Sequence, residues 1–169
     1  MNLNSAHIHL LLNHFPIVGA IFGLLLLIYS IFKTSDDLKQ ASYWTFIIVA
    51  LLTIPTYIYG EQAADIVLNV PNVTEAYVHK HEELAEVSLI TLEILGTLSI
   101  VGLFFSSRTK KTVNWLTMII LAIAIIGTVL VSWTGLQGGI IRHTEVRGDI
   151  LILTPDHSDT EEQNNHSHE

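Results

Sequence analysis

Four long apolar runs organise the sequence, at residues 15–32, 43–59, 84–105 and 113–133, with polar residues between them. Each is roughly 17–22 residues long, which at 1.5 Å per residue crosses a hydrocarbon core of about 30 Å. Lipid offers no partners for backbone amides, so such runs must be helical. The pattern predicts an all-α protein, an integral membrane four-helix bundle over residues 1–153. From residue 154 onward "TPDHSDTEEQNNHSHE" is polar, acidic and without apolar period. A disordered, histidine-containing tail is expected over 154–169.

Finer features fall within this frame. Asn13 is placed to cap helix 1, with Pro16 in its first turn. Gly19 and Gly23 form a G-x-x-x-G pair, expected to seat a neighbouring helix inside the bundle. Tyr43 and Trp44 open helix 2 as an aromatic belt, and Pro55 is expected to kink or end it. The stretch 60–83 reads as a long connection with a short helix at 61–68 and a break at Pro71. In "WTGLQGGIIRH" the glycines are expected to stop helix 4. Two antiparallel hairpins are anticipated, without an internal sequence repeat.

Composition supports a membrane setting. Of 169 residues half are hydrophobic and 14% are charged, where a soluble domain carries about 25%. Neither Lys nor Arg precedes the first run, and that run is too long for a signal peptide's core, so a retained helix is expected. Lys33 and Lys39 follow helix 1, and Arg108, Lys110 and Lys111 follow helix 3. The positive-inside rule puts those loops in the cytoplasm and both termini on the outer, periplasmic side of a bacterial inner membrane. The net charge of −8 argues against a nucleic-acid partner and leaves membrane lipid as the surroundings. There is no cysteine, which excludes disulfides, thiolate chemistry, covalent c-type haem and Cys-ligated iron–sulfur clusters.

The histidines carry the candidate chemistry. His7, His9 and His14 precede or open helix 1, His79 and His81 lead into helix 3, and His143 follows helix 4. All six fall on the expected outer face, and the inner loops hold none. Polar residues do collect at helix ends. Still, imidazoles gathered from several helices are the usual way to build a metal or haem site in a bundle. "HKHEE" sets His79 and His81 beside two carboxylates, Glu82 and Glu83. Within helix 3, Glu86 and Glu93 stand seven residues apart on one face, with Glu93 near the bilayer midplane. An intramembrane carboxyl reads as a proton-relay position, or as a neutral group bonded to Thr53 or Thr128 of a neighbouring helix.

The stretch "HLLLNHFPIVGAIFGLLLL" resembles the H-P-L-L-V-H-F-P-I-A opening of the DUF2231 family of four-helix bacterial membrane proteins. Its two histidines, five apart, match His9 and His14; its histidine at the start of helix 3 matches His81. Its G-G-x-x-x-x-H is echoed, one residue shorter, by "GGIIRH", which places His143. Leu10 stands where the family has proline, and T-G-x-x-D is echoed by "YGEQAAD" with Gly60 and Asp65. Family members accompany, or are fused to, c-type cytochrome or Rieske domains. The resemblance therefore implies membrane electron transfer, with the histidines as haem b ligands.

Three functions are consistent with these residues. The first is a haem-b-binding subunit of a respiratory electron-transfer complex, accessory rather than a stand-alone enzyme. It would partner a cytochrome or other respiratory subunit, with His14 and His81 the first choice of ligands and His9 and His143 beside them. Glu86 and Glu93 would accept protons from a docked quinol. The second is a copper or zinc site built from His14, His81, His143 and His9 or His79. The third is a membrane anchor without a cofactor.

Overall fold

A computed structural model describes residues 4–69, 73, 75–109 and 111–142. The described residues form α1 (Ser5–Leu12), α2 (His14–Phe32), α3 (Asp36–Leu68), α4 (Glu75–Thr109) and α5 (Asn114–Arg142). Four helices are long and apolar enough to cross a membrane, because α1 and α2 together make one span. His143 and the expected tail lie outside the described residues.

The spans run up and down around a closed ring. α3 lies between α2 and α4, α5 lies against α4, and α2 meets α5 to complete the circle. The start of α1, the end of α3, the start of α4 and the end of α5 share one end, here the histidine end. Leu27, Phe46, Leu92, Leu95, Ile120 and Ala124 fill the centre. The outward face is apolar too, with Phe22, Leu25, Ile48, Ile90, Ile100 and Ile126 exposed. Hydrocarbon is the solvent such a surface requires. Close helix contact comes from small residues. A methyl group on Gly19 would stand 2.6 Å from Val49, and one on Gly96 2.5 Å from Ala50. The expected packing role of Gly19 and Gly23 is met inside the bundle, against Val49 and Phe46.

The opposite end is locked by polar bonds. Lys39, almost fully buried, donates to Asp36, Thr112 and Asn114 at 3.3, 3.1 and 3.4 Å. Thr112 also donates to Asp36. Tyr43 is buried and bonds Thr117 at 2.7 Å, so only Trp44 of the expected aromatic pair faces outward.

At the histidine end, the helices outrun their apolar stretches. α3 continues nine residues past residue 59, α4 begins nine before residue 84, and α5 continues nine past residue 133. That is about 13 Å of added helix in each. Pro55 sits inside α3 without ending it, and the segment expected as a separate helix at 61–68 is the last part of α3. The glycines of "WTGLQGG" likewise lie within α5. Helical backbone begins before Asn13, capped by Asn4, whose side chain accepts from the His7 amide at 3.0 Å. Asn13 makes no side-chain cap.

Candidate functional site

Two histidines from different halves of the molecule meet in this extended region. His9 comes from α1 and His81 from α4, with ring centroids 6.4 Å apart and planes crossed at 86°. Each ring is anchored by the helix that follows its own span. His9 Nδ1 lies 2.9 Å from the Thr56 carbonyl oxygen of α3, and His81 Nδ1 lies 3.1 Å from the Thr134 carbonyl oxygen of α5. A carbonyl only accepts, so each Nδ1 carries the proton. In a neutral ring so held, Nε2 keeps its lone pair, the form in which imidazole binds a metal.

The floor beneath each ring is glycine. A methyl group on Gly60 would stand 2.9 Å from His9 Cε1, and one on Gly138 would stand 3.2 Å from His81 Cε1. Both glycines follow the anchoring threonine by four residues, one helical turn, in "TYIYG" and "TGLQG". His9 and Thr56 are 47 residues apart, and His81 and Thr134 are 53 apart. The two hairpins therefore repeat one arrangement of histidine, threonine carbonyl and glycine. Sequence inspection anticipated no repeat. Only two of five positions recur in the T-x-x-x-G stretches, too few to register without knowing which histidine lies on which turn.

Further bonds hold the hairpins. Ser5 donates to Gln62 at 3.0 Å, tying α1 to the end of α3. Ser88 and Thr134 bond at 2.9 Å, and Thr134 also donates to the Leu84 carbonyl at 3.2 Å. The carbonyl that orients His81 thus sits in a braced turn of α5.

The other expected ligands are placed differently. His14 is exposed, bonds the Leu10 carbonyl of the preceding turn at 3.2 Å, and lines an apolar groove with Phe15, Phe22 and Ile48. His79 is exposed and lies 3.4 Å from Glu83. Glu86 is exposed, whereas Glu93 is half-buried within the span. Among the described residues, no three His, Cys, Asp or Glu side chains gather closely enough to hold a metal ion. The described cluster is a pair.

Its spacing has a chemical meaning. A metal about 2.0–2.1 Å from an imidazole nitrogen stands about 3 Å from that ring's centre, so two rings flanking one ion are about 6 Å apart. The observed 6.4 Å is of that size, and with the planes crossed at 86° it is also the spacing of two rings meeting edge to face. Searches of family models, curated proteins and solved structures return no match to this chain.

Proposed function

We propose that the protein is a multi-pass subunit of a bacterial cytoplasmic membrane, serving respiratory electron transfer and holding haem b between His9 and His81. The observation that carries this reading is the pair itself: two imidazoles from separate hairpins, each with Nδ1 at a backbone carbonyl, their ring centroids 6.4 Å apart. The resemblance to the DUF2231 family supports the haem. The distribution of Lys and Arg supports an outward-facing site and cytoplasmic loops after residues 32 and 109. His9 is assigned in place of His14 because its ring faces His81, whereas His14 bonds its own helix and lines an outer groove.

The chain's own groups do three things in this reading. The Thr56 and Thr134 carbonyls fix the tautomer and orientation of each ring and raise the basicity of Nε2. Gly60 and Gly138 let the rings lie against helix backbone that a larger residue would push them away from. The site lies at the edge of the apolar band, where the helical extensions begin, within reach of a soluble redox partner. Haem b held by His9 and His81 would supply one-electron transfer without substrate chemistry.

A copper ion is the second reading, because the same spacing suits two-coordinate binding. Zinc takes four ligands, and the described residues offer no such group. Purification after expression with ample haem tests all of this. The expected protein is coloured, with a sharp Soret shift on reduction that His9→Ala or His81→Ala abolishes and His14→Ala leaves in place. Colourless protein with stoichiometric copper would establish the second reading, and colourless, metal-free protein would leave a membrane anchor.

A further inference from the structure

The turn between α4 and α5 gathers positive charge that the rest of the bundle leaves unmatched. Arg108, Lys110 and Lys111 fall within four residues, and residues 94–144 contain no Asp or Glu. Arg108 and Lys111 are exposed, and among the described residues neither forms an ion pair. The turn between α2 and α3, at the same end, is balanced: Lys33 and Lys39 stand against Asp36 and Asp37. Asp36 is also bonded to Thr112 of the α4–α5 turn, but its charge is met by Lys39 at 3.3 Å.

Local geometry sets this charge at the lipid margin. The Arg108 guanidinium lies 5.2 Å from the centroid of the Phe104 ring, which is exposed on the spanning helix. A cation held over that ring lies along the flank of α4, on the side that faces the bilayer. Three residues, about 4.5 Å of helix, separate Arg108 from the end of the apolar run at residue 105, which is headgroup depth. Phe105 and Trp115 are exposed on the same hairpin, as interfacial aromatic anchors are. An acidic soluble protein would be met by cations projecting off the end of the bundle. Arg108 is instead held level with lipid phosphates, which guanidinium binds well. A zwitterionic lipid brings its own ammonium, so unmatched cations favour a headgroup of net negative charge.

We propose that the α4–α5 turn binds an anionic phospholipid, its phosphate held by Arg108 and Lys111 beside the Trp115 indole. The proposal rests on the bilayer setting and not on the histidine pair, which occupies the other end of the bundle.

Tryptophan quenching tests it on the full chain in vesicles of phosphatidylcholine, with dibrominated phosphatidylglycerol or dibrominated phosphatidylcholine added to both leaflets. Trp115 is made the sole reporter by Trp44→Phe with Trp133→Phe. Phosphatidylglycerol is expected to bind there at least about fivefold more tightly than phosphatidylcholine, the factor one surface cation contributes. Arg108→Gln, Lys110→Gln and Lys111→Gln together should bring the ratio close to one with helicity retained. With Trp133 as sole reporter and the cations intact, the ratio should also be close to one, since 18 residues of α5, about 27 Å, separate it from Trp115. The proposal is overturned by a ratio near one at Trp115, which would leave the turn to an acidic protein, by equal preference at Trp133, or by preference that survives the triple substitution. Quenching by neither lipid would refute the bilayer setting itself, and the proposal with it.

Discussion

At the scale of single residues, the two glycines beneath the histidine rings should not be equally sensitive. A methyl group on Gly60 would press to 2.9 Å from His9, closer than side chains tolerate, whereas on Gly138 it would reach 3.2 Å from His81, a gap the ring can open by tenths of an ångström. Gly60→Ala is therefore expected to weaken cofactor retention by about 10–100-fold, the range seen when a supporting group is lost. Gly138→Ala should lie well below that. Cofactor content after dialysis, compared between the two variants, checks the order; equal losses would mean the rings do not rest where described. Sequence singled out these histidines by type and by their place at helix ends. It did not show that His81 faces His9, because that depends on the rotation of α1 and α4 about their axes, which no spacing within one helix reports.

At the scale of elements, the connection from α2 to α3 shows how a sharp turn is made between two spans. The Ser35 amide donates to the Ser30 carbonyl at 3.0 Å and the Thr34 amide to the Ile31 carbonyl at 3.1 Å, closing the end of α2 with paired backbone bonds. Thr34 takes a φ of 50° to allow it, a conformation that suits glycine and strains a β-branched residue. Thr34→Gly is expected to raise stability by about 1 kcal/mol, read as a shift in thermal or denaturant unfolding in detergent. The helices themselves were legible where lipid demands unbroken hydrophobicity. Their nine-residue extensions were not. Residues 61–68 read as a separate short helix and 75–83 as connection, and Pro55 and the glycines of α5 read as stops. Neighbouring helices keep those stretches helical: Gly135 accommodates Ile17, and Gly60 and Gly138 accommodate the rings.

At the scale of the whole molecule, four helices of spanning length place both ends of the bundle on the histidine side, and the positive-inside rule predicts which side of a membrane that is. Lys33, Lys39, Arg108, Lys110 and Lys111 flank the other end, so reporter fusions at Ser35 and Thr109 should behave as cytoplasmic and one at Asn72 as external. A cytoplasmic Asn72 would turn the histidine pair inward. The repeated arrangement of the hairpins has a thermodynamic consequence. Neither hairpin owns the site: one supplies His9 on its glycine floor, the other His81 on its own. An ion held by both rings binds the assembled bundle and not the separated halves, so by mass action each tenfold rise in its concentration above the dissociation constant adds about 1.4 kcal/mol to their association. Metal supply would then govern how firmly the two halves of this protein stay together in the bilayer.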